Sequence, residues 1–234
     1  MKARIEVVAI DCLMVRLFEV IDEANMPWML AAARRLREAF GTHLVDLVPS
    51  YTTLMIHYDL LVLSPAQARE RIAQVLDTLQ PETGAPGRLH EIAVWYDLSV
   101  GPELARIAER SRQTVASVIA CHTAREYQVF ALGFVPGFAF MGLVDESIAT
   151  PRLTTPRQRV PAGSVAIGER QTAAYPVQSP GGWNLIGRTA SRLFDREREG
   201  YSLLQPGDRV RFVAVDRAAF INKGGDDAPL EERP

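Results

Sequence analysis

Lysine is almost missing from this chain. Of 26 basic residues, all but Lys2 and Lys223 are arginines. The interior therefore offers no lysine for a Schiff base, a biotin attachment or a phosphate loop. Any anion held there must be held by guanidinium or backbone N–H groups. Cysteine is scarce too: Cys12 and Cys121 lie far apart, show no metal-ligand spacing and read as reduced thiols of a cytoplasmic protein. His43, His57, His90 and His122 are scattered, so no metal site is expected. No apolar run approaches the roughly 20 residues of a membrane span. The apolar N-terminus carries acids and reads as strands rather than a signal peptide. A net charge of −2 over 234 residues leaves no footprint for nucleic acid or an anionic membrane. Also absent are G-x-x-x-x-G-K-[ST], G-x-G-x-x-G after a strand, H-E-x-x-H and G-x-S-x-G.

What is present is a globular composition, enough chain for one large domain or two small ones, and a change of texture part-way along. Residues 2–10 and 12–19 read as strands, 27–40 as a helix with Asn25 as N-cap, 43–48 and 52–58 as a hairpin, and 65–80 as a helix opened by a Ser64–Gln67 capping box. This order predicts a small α+β domain over 1–80, with helices packed on an antiparallel sheet. A Pro/Gly-rich linker is expected over 81–89, strongest at 81–87. From 90 to 220 the pattern is a strand (91–97), two helices (from Gly101-Pro102 to about Arg110, and from Thr114 to His122), and then short strands between turns. The strands fall at 125–134, 164–168, 172–177, 183–189, 202–204 and 208–215, which suggests a closed barrel or a sandwich. Residues 221–234 read as a flexible tail.

The segment from Gly133 to Thr189 concentrates the candidate chemistry. Arg152, Arg157, Arg159, Arg170, Arg188 and Arg192 fall between residues 151 and 192 against one acid, Glu169. Pro151, Pro156 and Pro161 stiffen the loop bearing the first three, so their guanidinium groups are preorganised for carboxylate or phosphate, or else bond loop carbonyls or form a salt-bridged surface. Gln171 and Tyr175 can orient a small polar ligand or satisfy neighbouring backbone. Gly181 and Gly182 can present an anion nest beside Trp183, or form a plain turn beside a core Trp. His122, ending a helix, and Glu126, opening the next strand, are the best acid/base pair; the alternative is a capping His and a surface Glu. The residues alone reach a rigid, arginine-bearing β domain for something small and anionic.

The strings GFVPGF (133–138), ATPRLTTPRQRVPAGSVAIGERQTAAYPVQSPGGWNLIGRT (149–189) and LLQPGDRVRFV (203–213), with the helix pair ending at His122, resemble the family of 5-oxoprolinase B subunits. That family is also called allophanate hydrolase subunit 1, or KipI-like. The resemblance covers most of 91–215 and implies that the barrel is cyclophilin-like. It further implies a subunit that is inactive alone and works with two partners of one complex, a barrel-type C component and a separate A component. Together they cleave 5-oxoproline to L-glutamate with ATP hydrolysis. On this view ATP is handled by the complex, Arg157 and Arg159 face anionic groups, and His122, Glu126, Gln171 and Tyr175 line the same cleft. Other functions consistent with the resemblance are a KipI-like inhibitor of a sensor histidine kinase and a subunit of a urea- or allophanate-type amidohydrolase. The fold it implies also admits a peptide-binding or prolyl-isomerase barrel. The chain departs from the family pattern at Tyr96–Gly101, at Arg112 where a Gly often separates the two helices, at Ala139, and at Ala173.

Overall fold

The structure, a computed structural model, describes residues 3–82 and 87–230. The chain divides into two compact units, Met1–Pro86 and Gly87–Pro234. The core of the expected linker, residues 83–86, lies outside the described residues.

In the first unit, β1 (Arg4–Ala9), β2 (Cys12–Arg16), β3 (Leu44–Ser50) and β4 (Thr53–Tyr58) form an antiparallel sheet in the order β1-β2-β4-β3. Alternation places Leu13, Val15, Leu54 and Ile56 on the buried face. Helices α1 (Met26–Phe40) and α2 (Pro65–Asp77) contribute Met29, Ala33, Leu36, Ile72 and Val75 to the buried set. The Ser64–Gln67 capping box forms in both directions, satisfying first-turn N–H groups. Asn25 does not cap α1: it is already helical, and its amide donates to the Val20 carbonyl at 2.8 Å. Asp22 caps the preceding 3-10 turn instead.

The second unit is a closed barrel. Its strands are β5 (Leu89–Trp95), β6 (Glu126–Leu132), β7 (Ala139–Gly142), β9 (Ser164–Gly168), β10 (Gln171–Ala174), β12 (Asn184–Arg188) and β13 (Arg209–Val215). They run in the order β10-β7-β6-β13-β5-β12-β9, and β9 pairs back to β10. Only β5 and β13 are parallel. This is the α+β unit followed by a mostly-β, cyclophilin-like barrel that the sequence leads one to expect. Helices α3 (Glu103–Ser111) and α4 (Val115–Thr123) join its main core, where Leu104, Ile107 and Val118 meet Ile92, Val129, Ile167 and Phe212. Arg112 between them is left-handed, with φ +55°, the conformation a glycine adopts most cheaply.

A second layer covers the opposite face of β9, β10 and β12. Along these strands Val165, Ile167, Ala174 and Ile186 belong to the main core, while Ala166, Ala173 and Leu185 pack outward under Phe138, Tyr175 and Trp183. The two-stranded sheet of β8 (Arg157–Val160) and β11 (Ser179–Gly181) adds Val160 to this layer. The segment expected to be a flexible tail begins within the last helix and makes contacts as far as residue 230. Helix α5 (Arg217–Asn222) buries Phe220 against Trp95 and Val100, and Leu230 packs on the outer layer. Residues 202–204 form no strand, only an isolated bridge between Phe194 and Ser202.

Candidate functional site

The outer layer collects most of the basic and aromatic groups singled out in the sequence. Its loop at 150–156 is fixed by backbone. Thr150 and Glu169 exchange hydrogen bonds of 3.2 and 2.8 Å, and the Leu153 N–H donates to the Gly182 carbonyl at 2.7 Å. Asn184, fully buried at the start of β12, donates its side-chain amide to the carbonyls of Pro151 and Ile167, each at 3.0 Å. One side chain thus ties the arginine loop to the barrel wall.

The result is a small cluster. The Arg152 guanidinium lies 5.3 Å from the centre of the Trp183 ring, at cation–π distance, and remains exposed. Trp183 is buried against Phe138 and over Gly168, where an added Cβ would approach the indole to 2.7 Å. Tyr175 lies beneath Gly181, whose added Cβ would come within 2.2 Å of the phenol oxygen. Burial pushes the Tyr175 phenol up to about 12, against the opposing pull of the Trp183 N–H, Arg152 and Arg157. It stays a neutral hydroxyl under ordinary conditions. Gly182 backs onto Leu153 and Pro156 at ordinary contact distance.

The three arginines of the loop differ in what they can do. Arg157 is committed: its Nη2 lies 2.5 Å from Glu103 Oε1, Glu103 is buried and Arg157 largely so, and Glu103 Oε2 accepts the Leu185 N–H at 2.9 Å. Arg152 and Arg159 are exposed, and no carboxylate pairs with either among the described residues. Glu103, in the first turn of α3, carried no sequence sign of this role beyond its place at a helix N-terminus.

His122 and Glu126 do not form the expected acid/base pair. His122 is fully buried, stacked on Phe212 at 4.7 Å. Thr172 donates its hydroxyl to the Ala166 carbonyl (3.1 Å), so it accepts from His122 Nε2–H (2.9 Å). His122 Nδ1 is then the acceptor for the Tyr96 hydroxyl at 2.8 Å. Both ring nitrogens are occupied in a neutral imidazole, and burial lowers its pKa to about 3. Glu126 faces elsewhere, bridging Arg209 at 2.6 Å and Arg211 at 2.5 Å. The helix-end dipole that suggested a protonated His122 is outweighed by desolvation. Gln171 opens β10 between Gly142 and Gly168 and stands apart from this cluster in the register.

The buried imidazole has a measurable consequence. Unfolding lets His122 take up a proton at its ordinary pKa, so its contribution is complete above about pH 6.5 and is lost as pH falls toward 3. Between pH 7 and 5 this one group should remove about 2 kcal/mol of stability. Urea unfolding at the two pH values measures the drop. His122→Gln, although less stable, should show a correspondingly flatter dependence, and an unchanged slope would refute the assignment.

A profile of the carboxyltransferase domain, subdomain C and D, matches residues 3–204. The 5-oxoprolinase B subunit of Bacillus subtilis (strain 168) is 34% identical over 231 residues, covering 93% of this chain and 95% of that protein. The chain belongs to the family of 5-oxoprolinase B subunits. The family's member from Escherichia coli O157:H7 is 37% identical over 86% of this chain and 94% of its own length. Among solved structures, TTHA0988 superposes with a TM-score of 0.77 at 39% identity over 88% of this chain; the chain spans only 40% of that longer protein. A conserved uncharacterized protein, PH0987 from Pyrococcus horikoshii, is 35% identical, with a TM-score of 0.55, over 93% of this chain and all of its own. The urea amidolyase of K. lactis, at 16% identity, shares the fold alone, with a TM-score of 0.76 over 97% of this chain and 16% of its own.

No helix among the described residues is long and apolar enough to cross a membrane, and no cluster of three or more His, Cys, Asp or Glu there has the arrangement to hold a metal ion.

Proposed function

We propose that this chain is the B subunit of an ATP-dependent 5-oxoprolinase, contributing a binding and orienting surface to a site completed by the A and C components of the complex. The observation that carries this reading is the 34% identity to a 5-oxoprolinase B subunit that runs nearly end to end in both chains. A lactam carbonyl resists water, and ATP supplies the driving force by activating it. The phosphates of ATP need cations, and the fit on this chain rests on Arg152 and Arg159, exposed and unpaired by carboxylate. Arg152 is further held in place by the Trp183 face. Such groups bind and orient anions; they do not move protons at neutral pH. His122 is too deeply buried to act as a base, so the proton-transfer groups are assigned to the partner chains.

Co-expression with the A and C components, followed by 5-oxoproline-dependent phosphate release, tests the reading. Release that requires all three chains is expected. Its absence from a complex shown to assemble would sink the proposal. Within that assay Arg152→Ala should lower turnover by about tenfold or more, the loss expected for one charge-assisted contact. Its stability should change little, because the side chain is exposed.

A further inference from the structure

Arg188 ends β12 on the outer-layer side of the sheet. The register sets it opposite Ser164 of β9, so the two side chains share a face with Ala166 and Leu185. Arg188 is 2% exposed, yet only one end of its guanidinium is in use. Its Nη1 donates to the carbonyls of Asp226 and Ala228, both at 2.8 Å. Nε and Nη2 are buried without a partner, and so is the Ser164 hydroxyl. These two nitrogens form the side-on edge of the guanidinium, whose parallel N–H bonds match the two oxygens of a carboxylate. A buried donor left unmade costs about 1–3 kcal/mol, and burial lowers the Arg188 pKa. A cation so placed calls for one negative charge at that edge.

The chain's own C-terminal segment is bonded to the other end of this guanidinium, through the two carbonyls at Nη1. Leu230 packs on the layer containing Phe138 and Trp183, and its N–H donates to the Ser99 carbonyl at 3.0 Å. The two acids of the segment are engaged elsewhere: Asp227 pairs with Arg217, and Asp226 accepts the Ala228 N–H at 3.0 Å. The segment therefore hydrogen-bonds Arg188 through peptide carbonyls, while its two carboxylates act on the guanidinium by charge alone. We propose that Arg188 and Ser164 form a binding site for a small organic monocarboxylate, with residues 226–230 as its displaceable cover. A single guanidinium beside two acids suits one negative charge better than the two of a phosphate. This site lies on the same outer layer as the Arg152–Trp183 cluster but uses other residues, and it does not depend on the 5-oxoprolinase reading.

The full-length chain, titrated calorimetrically with propionate, 5-oxoproline and the neutral propionamide, tests the site. Carboxylate binding is expected, with propionamide inert. Arg188→Lys keeps the charge but loses the parallel fork, and should weaken binding about tenfold or more. Ser164→Ala, which removes a hydroxyl bonded to nothing, should fold normally and bind about threefold to tenfold more weakly. Leu230→Ala, loosening the cover, should raise affinity several-fold. Propionamide binding as well as propionate overturns the site. So does unchanged affinity in Ser164→Ala together with Arg188→Lys, or in Ser164→Ala alone should the lysine variant not fold. Absence of carboxylate binding at about 10 mM by both the natural chain and Leu230→Ala overturns it too. Propionate binding with 5-oxoproline excluded would support the site and leave the proposed function, which rests on Arg152 and Arg159, to its own assay. Coupled turnover of 5-oxoproline with no carboxylate bound by this chain would overturn the site and support the proposed function.

Discussion

Replacing Arg157 with Ala is expected to remove about 3–5 kcal/mol of stability, because it strands the Glu103 carboxylate in a buried position. The pair is short, and both partners are almost enclosed. Glu103 would keep the Leu185 N–H but lose its only counter-charge in the pair. Urea unfolding at pH 7 measures the loss. The double variant Glu103→Gln/Arg157→Met should recover a good part of it, since no buried charge remains and the amide can still accept the Leu185 N–H. A loss below about 1 kcal/mol for Arg157→Ala would mean that the pair behaves like an exposed one. The same experiment separates two roles that sequence could not. An arginine in a proline-braced loop looks available to a ligand, but this one holds helix α3 to the outer sheet. Lost turnover in Arg157→Ala would therefore report a displaced scaffold before it reported a lost anion contact.

Gly163→Ala should be comparably damaging. Gly163 has φ +79°, and an added Cβ would lie 2.2 Å from the Thr189 carbonyl oxygen. Left-handed strain of about 1–3 kcal/mol and overpacking of similar size add to a loss of about 2–6 kcal/mol. The neighbour is backbone, so no side-chain substitution at 189 can relieve the contact. Gly163 also donates to the Tyr175 carbonyl at 2.7 Å and accepts from Thr189 N–H at 2.8 Å, tying β10 and β12 together at one corner. Gly41→Ala serves as the control. Gly41 has φ +53° but nothing within 4 Å of an added Cβ, so it should show the strain alone. Thermal melts of both variants settle the contrast; equal losses would show that the close approach is immaterial.

The parts of the structure written in local pattern were legible in the sequence. Alternation in 52–58 and 208–215 marks strands, and Ser64 with Gln67 marks a helix start, because these depend on neighbours along the chain. The short strands 139–142, 157–160 and 179–181 were not legible, since runs of three or four residues gain their definition from the partner strand. His122 shows the same limit in the candidate site. A helix-end histidine followed by a glutamate fits a catalytic pair and a core residue equally well until burial is known. The contacts of the tail were hidden for a related reason: GGDDAPL has the composition of a mobile end, and it meets the barrel through backbone groups and a single leucine. Trp183 lays its indole over Gly168 of another strand, a contact that its own neighbours Gly181 and Gly182 do not announce.

The parallel pairing of β5 with β13 joins residues 89–95 to 209–215 and has a consequence for synthesis. While the chain is being translated, β5 waits through more than a hundred residues before its neighbour exists, so the barrel cannot close on the ribosome until the last strand has emerged. The family profile stops at residue 204, just short of that strand. A fragment cut at that boundary would keep every candidate site residue, yet leave β5 and β6 as open hydrogen-bonding edges, the ingredients of an insoluble product.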